Sequence, residues 1–502
     1  MPSENAAGFV PDRRLHRLSW LFVAIGYLKQ FLFAIAGVVF LGAQNDYALW
    51  ALLGVIPLLA SAAWQQWIYR YGFGPRGLVI HEGLFFRNVR NIDYQRVENI
   101  DTERHVLHRL FGVAEVRIET SSGGSSEAVI RVLSLQAVRE MRDRIFAEQQ
   151  GGEPVVPAES APEPAAETVL LRLRAGELVR YGLIDNRGMI IVAAIIGLFA
   201  EVGRQEAIER YVQPVIDRFP LADFAAVGAT IQVLLVVSAI AGLVAGTRIL
   251  SVLLALVTLH DFRLSQSNDD LRVRYGLLTR ISLTLRRPRI QAVHQTESLL
   301  HRLFRRVSLR VDLAGGATLN DQQHNGQPSR ERKLWLAPVC TKDKAAELVR
   351  SALPQVSLEG LDWQRLSPRA RWRLFRLLAA LWLLLAAPPA FWLLGVFALA
   401  VVLPVLPLLW LYAHLYVKCT GWALHDDFLV LRRGWLTRRQ SVVPRNRIQS
   451  VRVTESPFDR RYRMAGLDVD TAGASTARMR IPFLDHDTAR SLAAALYALP
   501  AR

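Results

Sequence analysis

Arginine side chains cluster on both sides of a glycine at two places in this chain, where they could bind an anionic group. The clusters are Arg432, Arg433, Arg438 and Arg439 around Gly434, and Arg272, Arg274, Arg280, Arg286 and Arg287 around Gly276. A guanidinium presents a planar fork of N–H donors that matches phosphate and carboxylate oxygens. These residues are therefore candidates for binding a phospholipid headgroup or an acidic partner. The alternative is a solvated basic surface that only marks the cytoplasmic side of a membrane.

A second set of arginines recurs at equivalent positions, each at the start of a predicted strand: Arg96, Arg289 and Arg447. Such an arginine could hold an anionic headgroup with two hydrogen bonds. It could equally pair with an acid of its own domain, because an acid also recurs, at Glu119, Asp312 and Asp470. This repeated pairing of opposite charges favours the structural interpretation. A third set, Arg109, Arg302 and Arg460, allows the same two interpretations.

The chain carries no sequence motif of a catalytic site. Walker, GxGxxG, GxSxG and HExxH patterns are absent, and the 11 histidines lack the spacing of metal ligands. The two cysteines, Cys340 and Cys419, form no CxxC pattern, and Cys340, near a predicted helix start, has no obvious base. We therefore expect a protein that is not an enzyme, with no catalytic residues, no cofactor and no metal site.

The elements that must position the arginines follow from an internal repeat. One block recurs without gaps at 78–123, 271–316 and 429–474. Within it, alternating apolar and polar residues, as at 307–313 and 467–470, predict antiparallel strands. A glycine common to all copies, Gly83, Gly276 or Gly434, predicts a hairpin turn with positive φ. Amphipathic helices are predicted to follow at 134–146, 341–353 and 485–499. Each copy is thus a small antiparallel β half-barrel with a C-terminal helix.

A strongly apolar stretch precedes each copy of the block. Because a helix crosses the hydrocarbon layer in roughly 20 residues, each stretch accommodates a pair of spans. The predicted spans are 20–42, 48–68, 188–203, 224–258, 374–390 and 392–416, with hairpin loops at 42–48 and 386–390. Lys29 and Arg248 fall within these spans. An intramembrane charge either lines a pathway or snorkels and marks the end of a span.

The distribution of charge predicts the orientation. The net charge is +17, and basic residues occur in the N-terminal arm and at 365–376, whereas the loops at 42–48 and 386–390 have none. Positive charge near spans is retained in the cytoplasm, so both termini and all three domains are expected there. Residues 151–168, rich in Pro, Ala and Glu, are typical of a flexible linker.

The copies at 271–316 and 429–474 resemble the bacterial pleckstrin-homology-like (PH-like) domains of the YdbS/YdbT group of membrane proteins. The resemblance covers nearly the whole chain and is carried by RIQAV at 289–293 and RIQSV at 447–451, each followed by TES. The first copy departs from it, with RVENI at 96–100 and no TES. The resemblance implies a PH-like fold, paired spans that alternate with the domains, and the bacterial inner (cytoplasmic) membrane.

The sequence thus predicts a membrane α + β protein with six transmembrane helices in three hairpins, each followed by a PH-like domain. The expected segments are 1–70 (arm and first pair), 71–150 (domain), 151–187 (linker and pre-membrane segment), 188–259 (second pair), 260–355 (domain), 356–373 (linker), 374–417 (third pair) and 418–502 (domain). The expected function is a non-enzymatic scaffold, or a role in envelope maintenance. The expected partner is a membrane of anionic phospholipid, with protein partners or self-association left open and no nucleic acid. The alternative is a transporter or channel formed by the six spans.

Overall fold

The computed structural model describes residues 11–25, 60, 64, 67–83, 88–120, 128–149, 167–202, 228–267, 270–314, 334–425, 427–472 and 479–497. The predicted spans 20–42 and 48–68 lie mostly outside these residues. Lys29 and most of the linker at 151–168 also lie outside them.

Among its described residues, the first domain contains strands of two antiparallel sheets and two α-helices. Its first sheet has the order β1 (Arg13–Arg14), β2 (Arg70–Phe73), β3 (Gly77–Glu82) and β4 (Asn88–Asp93). Its second sheet contains β5 (Val97–Arg104), β6 (Val113–Thr120) and β7 (Ala128–Ser134). Helix α1 (Val106–Leu110) connects β5 to β6, and α2 (Leu135–Gln149) follows β7.

The second domain repeats this arrangement. Its strands are β8 (Thr168–Arg172), β9 (Arg263–Ser267), β10 (Asp270–Tyr275), β11 (Arg280–Arg286), β12 (Ile290–Glu297), β13 (Val307–Leu313) and β14 (Trp335–Cys340). Between β8 and β9 the described helices are α3 (Ala175–Ile184), α4 (Arg187–Val202) and α5 (Ala229–Thr258). Helix α6 (Leu299–Leu303) precedes β13, and α7 (Lys342–Ala352) follows β14.

The third domain has the same order of elements. Its strands are β15 (Gln364–Arg365), β16 (Gly421–Leu424), β17 (Phe428–Arg433), β18 (Arg438–Pro444), β19 (Ile448–Thr454), β20 (Met464–Thr471) and β21 (Met479–Asp485). Helices α8 (Ala370–Leu394), α9 (Ala398–Val402) and α10 (Val405–Cys419) lie between β15 and β16. Helix α11 (Pro457–Arg461) precedes β20, and α12 (His486–Tyr497) follows β21.

Several local predictions are confirmed. The hairpin glycines Gly83, Gly276 and Gly434 have φ of 115°, 112° and 93°, a backbone region that side chains with a Cβ rarely enter. The strand predicted at 307–313 is β13, and the three amphipathic helices are α2, α7 and α12. Residues 498–499 of the third predicted helix lie outside the described part of the chain. The Thr341 hydroxyl accepts a hydrogen bond from the Lys344 N–H and so caps α7.

The sheets continue from one domain into the next, which the repeat did not predict. One seven-stranded sheet has the order β7-β6-β5-β11-β10-β9-β8, and a second has the order β14-β13-β12-β18-β17-β16-β15. Each joins the second sheet of one domain to the first sheet of the following domain. The cores of the second and third domains are joined as well, because Phe428, Val430 and Val442 of the third domain pack in the core of the second.

Each membrane segment begins and ends at the same sheet. Strands β8 and β9 pair with each other, although α3, α4 and α5 lie between them in the chain. Strands β15 and β16 likewise flank α8–α10. Strands β1 and β2 flank the first apolar segment. The chain therefore leaves each sheet and returns to it.

Three helices among the described residues are long and apolar enough to cross a membrane: Thr230–Thr258, Ala370–Leu393 and Gly395–Cys419. The helix in the predicted span 188–203, α4, has 16 described residues. One prediction was wrong: residues 386–390 form no loop, since α8 continues through Pro388 and Pro389. The helix ends instead at Gly395, whose φ of 54° breaks the helical path. In apolar surroundings a helix tolerates internal proline, because neighbouring groups satisfy the freed carbonyls.

Candidate functional site

The hairpin turns of the second and third domains are bonded to the ends of apolar helices. The Gly276 N–H donates to the His260 carbonyl oxygen at 2.8 Å, and the Leu277 N–H donates to that of Val257 at 3.0 Å. In the third domain the Gly434 N–H donates to the Thr420 Oγ1 at 3.3 Å. These contacts fix both turns at the C-terminal ends of α5 and α10.

Short helices of the preceding domains lie against these turns. The Arg109 Nη1, on α1, donates to the carbonyl oxygen of Leu277 at 2.9 Å. The Arg302 guanidinium, on α6, donates to that of Trp435. Leu277 and Trp435 each follow the hairpin glycine, so the two contacts are equivalent. The sequence alone predicts an ion pair or a ligand contact for these arginines, although their identity in all three copies also indicates a shared contact.

Exposed apolar side chains occur on these turns and on the short helices. Leu110 is 74% exposed on α1 and Leu303 is 73% exposed on α6, while Leu278 and Leu436 of the turns are 54% and 41% exposed. Phe458 of α11 is exposed as well. We call the turns at 276–279 and 434–437, together with α1, α6 and α11, the helix–hairpin surface. Exposed side chains of this size, grouped together, indicate a contact surface.

The predicted arginine cluster of the third domain lies beside this surface, but half of it is engaged within the chain. The Arg432 guanidinium lies over the ring of Trp363, 4.4 Å from its centroid. The Arg433 Nε donates to the Tyr416 hydroxyl at 2.7 Å. Arg439 is exposed, and Arg438 lies opposite Glu297 in the β12–β18 pair.

The predicted cluster of the second domain is not a single site. Arg280 begins β11 beside the turn, whereas Arg286 ends the strand and Arg287 follows it. A strand of this length rises by about 3.3 Å per residue, which separates the two ends by roughly 20 Å. Arg272 and Arg274 lie on β10 and share one carboxylate oxygen of Glu167, at 2.6 and 3.4 Å.

Arg272 and Arg274 also line a cavity of about 550 Å³ between the first and second domains. Arg104, Arg139 and Arg142 of the first domain complete its basic lining, and Asp143 is its acid. Burial lowers the pKa of Arg142, and burial together with Arg109 and Arg280 lowers the pKa of Arg104. Guanidinium groups crowded in this way favour a bound anion. The sequence did not predict this cavity, because its walls come from two copies of the repeat.

Arg96, Arg289 and Arg447 each end a short 3₁₀ turn rather than begin a strand. The Arg289 Nη2 donates to the carbonyl oxygen of Ala314 at 2.7 Å. The acid predicted to pair with it, Asp312, lies 2.7 Å from the Nε2 of His294. Arg289 thus holds backbone of its own domain, which agrees with a structural role.

Arg248 is bonded to the junction of α3 and α4. Its Nη1 donates to the carbonyl oxygens of Leu183 and Asp185, at 3.0 and 3.3 Å, and to the Asn186 Oδ1 at 2.8 Å. Carbonyl oxygens at a helix end carry partial negative charge, so this position suits a cation.

Cys340 does not have the properties of an activated thiol. It is buried at the end of β14, and burial raises its pKa to about 12. A thiol with this pKa stays protonated at neutral pH and is a poor nucleophile.

Small β domains with C-terminal helices, joined to apolar helices long enough to cross a membrane, define a transmembrane protein with repeated PH-like domains. The family model described as "Bacterial PH domain" matches residues 22–149, 218–351 and 374–499, and the chain belongs to this family. The chain is also 24% identical, over 439 residues, to the UPF0699 transmembrane protein YdbT of Bacillus subtilis (strain 168), with 84% of each chain covered. No solved structure matches the chain.

Proposed function

We propose that this chain is a non-enzymatic protein of the bacterial inner membrane whose three cytoplasmic PH-like domains bind anionic phospholipid at the bilayer surface. Its role would be scaffolding or envelope maintenance. The observation that carries the proposal is the helix–hairpin surface, which combines exposed leucines with arginines at the ends of apolar helices.

The position of this surface supports contact with lipid. Since α5 and α10 end where the turns are bonded, the turns lie where a spanning helix would leave the hydrocarbon layer. Apolar side chains at that depth enter the boundary between headgroups and acyl chains. Arginines beside them attract anionic headgroups by about 1 kcal/mol for each well-placed charge. Arg280 and Arg438 directly follow the turns in the chain, and Arg439 comes next.

The pairing of strands around the membrane segments supports three helical hairpins. If β8 and β9 belong to one sheet, the intervening chain crosses the membrane an even number of times. The same argument applies to β15 and β16 and to β1 and β2. Two crossings per segment would amount to six spans, with all three domains on one side. The basic residues near the span ends favour the cytoplasmic side.

The contacts of Arg248 favour an anchoring role for the spans over a transport pathway. A charged residue that lines a pathway must face water or a substrate. Arg248 instead donates to the backbone of the same membrane segment. Lys29, the second predicted intramembrane charge, lies outside the described residues. A transporter or channel remains the alternative that transport assays with the full chain would detect.

The proposal is tested with the full chain in bilayers that contain spin-labelled phosphatidylglycerol or phosphatidylcholine. Electron spin resonance measures the fraction of each lipid that the protein immobilises. We expect the wild-type protein to immobilise the anionic lipid preferentially. In the triple variant Arg280→Gln, Arg438→Gln, Arg439→Gln, the ratio of immobilised anionic to zwitterionic lipid should fall about tenfold in low salt. A variant with Arg350→Gln and Arg490→Gln, both exposed on C-terminal helices, is the control for reduced charge. Equal preference in all three proteins would contradict the proposal.

A further inference from the structure

The two sheets that cross between domains are built in the same register. In the β5–β11 pair Arg104 lies opposite Arg280, and in the β12–β18 pair Glu297 lies opposite Arg438. Arg104 and Glu297 occupy the same column of the repeat, as do Arg280 and Arg438. The second sheet of one domain thus pairs with the first sheet of the next domain in the same register at both junctions.

The bonds from Arg109 to Leu277 and from Arg302 to Trp435 likewise join equivalent residues at the two junctions. Each joins the short helix of one domain to the hairpin turn of the next. Arg460 is the third member of this column, and it is exposed on α11. The third domain therefore presents the same donor to whatever lies next to it.

At each end of the series, one strand whose equivalents pair between domains lies at the edge of its sheet within the described part of the chain. Strand β4 is at the edge of the first sheet and pairs with β3, and β19 is at the edge of the last sheet and pairs with β20. In the repeat, β19 is equivalent to β5 and β12, and β4 is equivalent to β11 and β18. The edges of β4 and β19 are thus the two halves of the interface that recurs inside the chain.

The burial of equivalent residues differs as this relation requires. Gln291 and Ala292 are 3% and 0% exposed on β12, which has a neighbour on each side. Their equivalents on β19, Gln449 and Ser450, are exposed. On β4, Val89 is 58% exposed. A long open edge with exposed apolar residues is a template for another strand.

We propose that a second copy of this chain pairs its β4 with β19 of the first copy. The internal register places Val453 opposite the partner's Val89, and Val451 opposite the partner's Asn91. Because the edges of β4 and β19 are different surfaces, the contact is heterologous and each copy of a dimer keeps one of these two edges unpaired. Such contacts produce rings when the rotation closes and open filaments when it does not.

Tyr497 marks where the incoming strand must bind. Its hydroxyl donates to the Val451 carbonyl oxygen at 2.9 Å and accepts from the Val451 N–H at 3.3 Å. The backbone N–H and carbonyl group of Val451 therefore point away from β20. Because the direction of these backbone groups alternates along an antiparallel strand, the N–H and carbonyl group of Val453 point to the same side as those of Val451. Tyr497 thus occupies the place of a neighbouring strand and must be displaced on assembly, so Tyr497→Phe should favour assembly.

Two proline variants test the heterologous contact. Proline removes an N–H without loss of an internal hydrogen bond where that N–H points outward from an edge. Full-length Val453→Pro has only the β4 edge intact, and Val89→Pro has only the β19 edge. Light scattering in detergent should show dimers and longer assemblies of the wild type at rising concentration, and monomers of each variant. An equimolar mixture of the variants should form dimers and nothing longer. A wild type and Tyr497→Phe that both stay monomeric, or variants that assemble like the wild type, would overturn the proposal.

Cysteine cross-linking tests the register and does not depend on the folding of the proline variants. In a Cys340→Ala, Cys419→Ala background, a Val453→Cys chain is mixed with a Val89→Cys chain in bilayers and oxidised. We expect a disulfide-linked dimer with at least about ten times the yield of a control in which Thr454→Cys replaces Val453→Cys, because a disulfide requires Cβ atoms about 4 Å apart and neighbouring residues face opposite sides of a sheet. Equal yields in the two mixtures would sink the proposed register and the pairing with it.

Discussion

The Arg109 guanidinium in the first domain donates a hydrogen bond of 2.9 Å to the carbonyl oxygen of Leu277, the residue after the hairpin glycine of the second domain. Arg302 makes the equivalent bond to Trp435 of the third domain. These bonds, with the continuous sheets, make the three domains one structure. The turns are consequently held from two sides, by a short helix of the preceding domain and by the end of an apolar helix.

Replacement of Arg302 should loosen the turn of the third domain. A hydrogen bond from a charged donor contributes about 1 kcal/mol at a partly exposed site, so Arg302→Ala should speed hydrogen exchange at 435–438 by about fivefold. Mass spectrometry of the exchanged protein measures this change. Arg460→Ala removes the equivalent arginine of the third domain, and in the monomer it should leave exchange at 435–438 unchanged. Identical exchange in wild type and Arg302→Ala would show that the bond does not hold the turn.

Gly434 should not tolerate a side chain. Its φ of 93° disfavours residues with a Cβ, and an added Cβ would clash with the Thr437 carbonyl oxygen. Gly434→Ala should lower the free energy of unfolding by about 1–3 kcal/mol, seen as a lower melting temperature of the detergent-solubilised protein. Gly242→Ala is the control, since the space beside Gly242 in α5 is open. A variant at Gly434 as stable as this control would contradict the assigned turn.

The hairpin turns at Gly83, Gly276 and Gly434, the strands, the C-terminal helices and the family could be predicted from the sequence, because each leaves a local pattern. The pairing of β5 with β11 could not be predicted, because pairing between domains depends on which strand edges are left open after each sheet forms. The cavity lined by Arg104 and Arg272 escaped prediction for the same reason. Arg432 and Arg433 look alike in sequence, but only their positions next to Trp363 and Tyr416 show that they are engaged.

Acidification should destabilise the second domain through His301. Its ring nitrogens lie 2.8 Å from the hydroxyls of Ser298 and Ser308, and burial lowers its pKa below 6.5. The unfolded chain therefore binds a proton on this residue before the folded chain does. Stability is fully present above about pH 6.5 and is lost as the pH falls below that value.

Melting temperatures from pH 8 to pH 5 measure this contribution. His301→Gln cannot be protonated and should have a shallower loss of stability at acidic pH than the wild type. His260→Gln, at an exposed position, is the matched control and should keep the wild-type slope. If His301→Gln keeps that slope too, the histidine does not contribute to the pH dependence.

Arg248 should be needed for stability. Arg248→Leu leaves the carbonyl groups of Leu183 and Asp185 without their donor, at a cost of about 1–3 kcal/mol. The melting temperature should fall, and Arg248→Lys should restore part of the loss because an ammonium group can donate to one of these oxygens. A fully stable Arg248→Leu protein that loses a measurable ion flux in liposomes would instead favour the transport alternative.

The central claim, that the helix–hairpin surface lies against lipid, is tested most directly by a fluorophore on Leu436. Full-length Leu436→Cys, in a Cys340→Ala, Cys419→Ala background, is labelled with an environment-sensitive dye and reconstituted with lipids brominated along their acyl chains. We predict strong quenching at this position, and little quenching of the same dye on Asp487→Cys, at the exposed start of α12. Equal and weak quenching at both positions would place the hairpin in water and contradict the proposed contact with the bilayer.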